Sequence, residues 1–177
     1  MRYSIYMDVK VRELEPHEWE FLKAVRIKSI DESPDAFKFT PKEARDLPDK
    51  YWEDALTKDH WFVGSRGGHV VAVGGLMPLS DDPDNFEIAS VWIDPMYRGT
   101  GIFTEFVDQV KQQAKDLGIE VLYASIYTDN TKSEQAFKAN GFELIGHQAS
   151  RYQPDRQISR WKTPLVSAAD APVDLGL

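Results

Sequence analysis

Apolar and polar residues alternate over residues 5–14 with the two-residue period of a strand. The pattern then changes to helical spacing at Trp19, Phe21, Leu22, Val25, Ile27 and Ile30, within residues 16–30. This change of period predicts a strand feeding a helix. Ser33-Pro34-Asp35 breaks that helix, and Pro41, suited to a first helical position, opens a second predicted helix running to about residue 56. Trp61-Phe62-Val63 and the apolar run 70–79 read as a hairpin around Arg66-Gly67-Gly68, and Asp81-Asp82-Pro83-Asp84-Asn85 is a polar turn into the next strand. Phe103, Phe106, Val107, Val110, Ala114 and Leu117 mark an amphipathic helix capped by Gly118. A strand over 119–127, a short helix over 131–140 and two strands over 142–146 and 158–165 complete the order βααβββαβαββ, which predicts a mixed sheet with helices on its faces. No repeat or linker divides residues 1–165, so one domain is expected. From Val166 onward Ala, Asp, Pro and Gly dominate, and residues 166–177 read as a disordered tail.

One junction in this pattern carries chemistry. The apolar strand Val91-Trp92-Ile93 runs through Asp94-Pro95-Met96-Tyr97 into Arg98-Gly99-Thr100-Gly101 and directly on into a helix beginning near Ile102. Gly99 and Gly101 remove the side chains that would keep backbone N–H groups from closing on an anion, and the helix start adds unpaired donors and a partial positive charge. A nucleoside-triphosphate P-loop is excluded, because Gly101 is followed by Ile102 and Phe103 and not by lysine and a hydroxyl residue. The dinucleotide fingerprint is a poor match, since Thr104 stands where its third glycine or alanine belongs. On this segment alone, a phosphate cradle and a plain tight turn explain the glycines equally well.

Four separated segments together resemble the GNAT superfamily of acyl-CoA-dependent N-acetyltransferases. Glu87-Ile88-Ala89-Ser90-Val91-Trp92-Ile93-Asp94-Pro95 is similar to the family's strand before the cofactor loop, and Arg98-Gly99-Thr100-Gly101-Ile102 to its pyrophosphate loop. Asn130, seven residues before Phe137 in a segment closing with Gly141-Phe142, resembles the second cofactor motif. Arg26 to Phe37 resembles the substrate-side helix and loop of a common bacterial branch. The resemblance implies an α/β fold with a mixed, mostly antiparallel sheet of roughly seven strands and about four helices. It also implies acetyl-CoA as co-substrate: Val91, Trp92 and Ile93 along the pantetheine arm, amides of Arg98, Gly99, Thr100, Gly101, Ile102, Phe103 and Thr104 around the pyrophosphate, and Asn130, Ser133 and Phe137 on the opposite side. Met96 and Phe103 depart from the family's loop pattern, and Phe103 is expected to narrow the cofactor's approach and alter loop geometry.

Composition narrows the partners. With 177 residues, 42% hydrophobic and 12% aromatic, the chain can bury one core. The formal net charge of -8 argues against nucleic acid held by a general field and weakly favours a cationic substrate, here an amine acceptor. No cysteine is present, which excludes disulfides, thiolate metal sites and a cysteine nucleophile. His17, His60, His69 and His147 lack metal-ligand spacing, so no metal is expected. Neither a signal peptide nor a membrane-length apolar run is seen, and a cytoplasmic protein without membrane contact is the expectation.

An amine like that of lysine has a reference pKa of ~10.4, so presenting it neutral at pH 7 costs about 4–5 kcal/mol and calls for a proton acceptor. Glu87 is the candidate base, weighed against a merely solvated residue at a strand entrance. Asn130 also suits the N-cap of the following helix, a role compatible with cofactor contact. Phe137 stands where many family members carry a tyrosine that protonates the leaving thiolate, and phenylalanine cannot do so; Tyr127, Tyr152 or water are the substitutes. Trp19, Trp52, Trp61, Trp92 and Trp161 read as core, with Trp52 and Phe37 also candidates to line an acceptor pocket. Three functions stay open: a small-molecule N-acetyltransferase, an enzyme acetylating protein N-termini or lysines, and a non-catalytic CoA-binding protein. The C-terminal strands offer an edge through which two copies can pair, so a homodimer is plausible.

Overall fold

The computed structural model describes residues 8–165. Seven strands, β1 (Lys10–Glu13), β2 (His60–Arg66), β3 (His69–Pro78), β4 (Phe86–Ile93), β5 (Val121–Tyr127), β6 (Glu143–Ala149) and β7 (Gln157–Pro164), form one sheet in the order β1-β2-β3-β4-β5-β7-β6. All neighbouring pairs are antiparallel except β4 and β5. Five helices accompany them: α1 (Trp19–Glu32), α2 (Pro41–Asp46), α3 (Asp49–Lys58), α4 (Ile102–Asp116) and α5 (Thr131–Ala139). The α/β class and the mixed, mostly antiparallel sheet agree with expectation.

The single helix expected from Pro41 to about residue 56 is two, which makes five helices instead of four. Pro48 disfavours helical backbone at Leu47, whose ψ of 133° ends α2, and Pro48 itself becomes the N-cap of α3. Thr40 starts α2 with a reciprocal capping box, its hydroxyl accepting from the Glu43 N–H while the Glu43 carboxylate accepts from the Thr40 N–H. The first strand is shorter than its alternating pattern, and residues 5–7 and 166–177 of the expected strand and tail lie outside the described residues.

The core forms two layers because alternate strand residues point to opposite faces. Phe62 and Ala72 face α4 and α5 with Phe106, Val110, Phe137 and Phe142, whereas Trp61, Val63 and Val73 face α1 to α3 with Leu22, Trp52 and Leu56. Each large apolar side chain buried in these layers contributes about 1.5–3 kcal/mol. Two sheet glycines let α4 lie close: a Cβ on Gly64 would meet Val9 at 2.9 Å and Phe106 at 3.1 Å, and one on Gly74 would meet Phe106 at 3.0 Å. That close packing seats α4 on the β1–β3 side of the sheet.

On the other face, α1 buries Leu22, Val25, Arg26, Ser29 and Ile30. This stripe differs from the apolar pattern of the sequence. Phe21 is on the exposed side and Ile27 is half-buried, while a charged and a hydroxyl residue sit in the buried row.

Candidate active site

β4 and β5 pair only through Phe86 with Leu122 and Glu87 with Tyr123. Beyond that point the two strands part: Ile88, Ala89, Trp92 and Ile93 of β4 keep ladder partners on β3, and none of residues 88–93 pairs with β5. The separation coincides with an irregularity in β4: its register with β3 shifts between Val73 and Gly75, and Ser90 has φ +57, a left-handed conformation uncommon for a non-glycine residue. A parallel pair that opens like this leaves a free strand edge facing a cleft, and two cavities occupy the opening.

The first, about 540 Å³, lies between β4, the start of α4 and α5, with Val91, Trp92, Ile93, Arg98, Gly99, Gly101, Phe103, Thr104, Asn130 and Ser133 on its walls. At its end, Gly99 and Gly101 adopt φ +74 and +88, and no atom lies within 4 Å of where either Cβ would be. The glycines are therefore required by backbone conformation, and the space beside them is open. The first helical bond of α4 is from the Glu105 N–H to the Gly101 carbonyl, and among the described residues the N–H groups of Gly99 to Thr104 find no acceptor. Orphan donors at a glycine turn opening a 15-residue helix make a cradle matched to an anion such as pyrophosphate.

The predicted contacts divide on inspection. Arg98 is held away from the cradle: its Nη2 donates to Glu32 at 2.5 Å and its Nε to the Ile93 carbonyl at 3.0 Å. Burial pushes the Glu32 carboxyl up, but hydrogen bonds from Arg98, Ser33 and Trp92 outweigh it and hold the group below its usual range. Ile102 is buried in the core and off the cavity wall, as is Phe137. Phe137 sits edge-on between Phe103 (5.2 Å between centroids) and Phe142 (5.0 Å). Phe103 thus carries its ring against Phe137 as a wall of the cleft, while α4 begins regularly at Ile102. Asn130 takes its capping role, Oδ1 accepting from the Ser133 N–H at 3.2 Å. Thr100 donates from its hydroxyl to the Tyr97 carbonyl, closing the turn.

The second cavity, about 260 Å³, lies on the other side and is bounded by side chains from α1, α3 and six strands, Glu87 and Trp52 among them. Ala36 and Phe37 line both cavities, so Phe37 is the partition between them. Glu87 stands at the last pair before the strands part. Burial raises its carboxyl above the usual range, against a hydrogen bond from Ser125 Oγ at 3.1 Å and the positive field of Arg160. A carboxylate poised higher than usual, beside a cavity and at the gap, is equipped to take a proton near neutral pH. Trp52 is buried with its Nε1 unpartnered among the described residues. Tyr127 and Tyr152 both line this cavity, the former under the Arg156 guanidinium at 3.5 Å. The sequence reading missed Arg26, Lys38, Asp59, Ser125 and Arg160, all on these walls. Arg26 alone carried a signal, a charge at i+4 from Leu22 and i−4 from Ile30 in the row that a helix buries. The wall residues also temper the inference from net charge: Arg26, Lys38, Arg151 and Arg160 stand against Asp59, Asp81 and Glu87, so the cavity is not acidic.

The sheet thus parts after two parallel pairs, with unpaired amides of a glycine turn on one side of the gap and a buried carboxylate on the other. A sequence profile of the acetyltransferase (GNAT) family matches residues 26–142, and the chain belongs to that family. It is 25% identical over 108 residues to an N-alpha-acetyltransferase RimI of Mycobacterium tuberculosis, covering 60% of this chain and 66% of the relative. It is 36% identical over 75 residues to an L-2,4-diaminobutyric acid acetyltransferase of Streptomyces coelicolor, covering 41% of this chain and 44% of that one. The chain thus spans less than two thirds of the length of these curated relatives. A spermidine N-acetyltransferase from Vibrio cholerae, solved with CoA and spermine, shares the fold with a TM-score of 0.70 at 14% identity, over 89% of this chain and 96% of that one. Among the described residues no helix is long and apolar enough to cross a membrane.

Proposed function

We propose that this protein transfers the acetyl group of acetyl-CoA to a primary amine by direct attack, with Glu87 as general base. The observation that carries the reading is the parting of β4 from β5 immediately after Glu87, with the glycine cradle of α4 opening onto the same gap. Named relatives that acetylate amino groups, and a fold neighbour holding CoA, support the same class of chemistry.

The cradle fits a pyrophosphate because its donors are unpaired and its glycines leave open space; the free edge of β4 at Val91 and Ile93 suits an extended amide-bearing arm, as an added strand would. Acetyl-CoA supplies an activated acyl carbon. The chain's own work is positioning and proton removal. An amine entering from the side-chain cavity gives its ammonium proton to Glu87; the freed lone pair attacks the carbonyl carbon, the C–N bond forms, the C–S bond breaks, and the second proton passes from the nitrogen to the departing thiolate or to water. Since a thiol has a pKa near ~8.5, the leaving group needs no strong acid. That suits a site whose Phe137 has no proton to give.

The reading is tested by thiol release. With no cysteine in the chain, a thiol reagent reports only liberated CoA. Amine-dependent release with an N-acetylated product is expected. Tight acetyl-CoA binding without turnover on any amine, peptide or metabolite would support a non-catalytic CoA-binding protein instead.

A further inference from the structure

Arg26 is 5% exposed on the buried row of α1, and among the described residues it forms no ion pair with a carboxylate. Its Nη1 donates to Ser29 Oγ at 2.9 Å and its Nη2 to Ser90 Oγ at 3.2 Å. The rings of Phe37 and Trp61 lie 4.6 and 5.5 Å from its central carbon. These contacts use two of the five N–H donors of a guanidinium, and neither supplies negative charge. Burial pulls its pKa down to about 10. Keeping a cation out of water without a counter-charge is costly, and an apolar residue would fill the same row at less cost. The arrangement makes sense if the counter-charge arrives with a ligand, because Arg26 lies on the wall of the side-chain cavity that also holds Glu87.

We propose that Arg26 is the carboxylate receptor of the acceptor site, so that the acceptor is a small molecule bearing both a primary amine and a carboxylate, an amino acid or close analogue. This rests on the acetyl-transfer reading and names its substrate class. Ser90, which accepts from Arg26, is three residues beyond Glu87 on β4, and all three residues line the same cavity of about 260 Å³, so one small molecule can meet both Arg26 and Glu87. A second cation, Arg160, lines the same cavity with its Nε buried and unpartnered among the described residues. The further cations of a polyamine would stand against these arginines, and the N-terminal residue of a peptide, although its amine can meet Glu87, has no carboxylate to offer them.

A purely structural role, fastening the Ser90 irregularity to α1, makes a different prediction. CoA release is measured for free amino acids, their carboxamides and their decarboxylated amines, with the wild type, Arg26→Gln and Arg26→Lys. The wild type should favour the acid over its carboxamide by about 30-fold or more in kcat/KM, the size expected for a buried charge pair. Arg26→Gln should lose that preference, through a rise in KM for the acid larger than any change for the carboxamide. Arg26→Lys, which keeps charge but not the two-pronged fork, should retain part of the preference. Equal or better wild-type rates on carboxamides and decarboxylated amines would overturn the inference while leaving acetyl transfer standing, as would Arg26→Gln retaining the acid preference. Should Arg26→Gln not fold, the wild-type comparison and Arg26→Lys decide alone. Absence of both acetyl-CoA binding and release from every amine would overturn acetyl transfer itself, and this inference with it.

Discussion

The two cavities that meet at Phe37 are built by opposite means. The larger is made mostly of backbone: a free strand edge, a glycine turn and the first amides of α4, contributed by two short stretches of chain with α5 as the far wall. The smaller is made of side chains gathered from α1, α3 and six strands, with seven formal charges on its walls. A backbone site recognises what does not vary, such as a pyrophosphate and an amide arm. A side-chain site can be altered one residue at a time without disturbing the glycine turn, and on the proposed reading this is where acceptor identity is written.

That contrast is sharpened by substitutions in each half. The largest effect is expected on the acceptor side: Glu87→Gln should lower kcat/KM by about 10²–10⁴ while acetyl-CoA affinity is kept. The same variant should be at least as thermally stable as the wild type at neutral pH. Burial raises the Glu87 carboxyl, so the fold favours its protonated form; that contribution is fully present at acid pH and is lost as pH rises through the folded-state value. A melting series from pH 4 to 8 should therefore show the advantage of glutamine growing with pH, and a clear loss of stability in the variant at pH 8 would count against the buried carboxylate.

On the cofactor side, Phe137→Tyr asks whether a phenol at that position would serve. Its ring is enclosed by Phe103 and Phe142, so an added hydroxyl has no partner there and should cost about 1–3 kcal/mol, seen as a fall of several degrees in Tm, with kcat changed by no more than about twofold. A marked rise in kcat would show that the ring reaches the thiolate after all.

The smallest effect is predicted for Ser125→Ala. The hydroxyl stabilises the charged form of Glu87, so its loss should move the acid limb of the kcat/KM profile to higher pH and reduce the rate at pH 7 within about tenfold. Arg160, Lys38 and Asp81 also bear on Glu87, the two cations lowering and the carboxylate raising its pKa, and they are unchanged in this variant. A shift of the limb to lower pH would contradict the assignment of Glu87 as the titrating base.

The same contrast explains what could be read from sequence. The strand, glycine turn and helix from Val91 to Asp116 were legible because local spacing and positive-φ positions determine them, and Trp52, Trp61, Trp92 and Trp161 are core as their type suggested. The break between α2 and α3 was also written in Leu47-Pro48, although the continuous spacing from Pro41 concealed it. The buried row of α1 was not legible, because Arg26 and Ser29 interrupt its apolar pattern for the sake of the cavity. Nor was the irregularity at Ser90, since no residue type there announces a left-handed backbone. Ser125 reaches Glu87 through the pairing of β4 with β5, and Arg160 through that of β5 with β7, long-range registers invisible to local periodicity. Arg98, a good phosphate ligand by type, is taken by Glu32, sixty-six residues earlier in the chain.

The most direct test is calorimetry of acetyl-CoA against the wild type and Gly101→Pro, with circular dichroism to check that the fold is kept. Gly101 has φ +88, which proline cannot adopt, and proline removes an amide of the cradle. One-to-one binding to the wild type and its loss in a folded variant is the predicted result; no binding of acetyl-CoA to the wild type, or undiminished binding to Gly101→Pro, would contradict the placement of the donor in this turn.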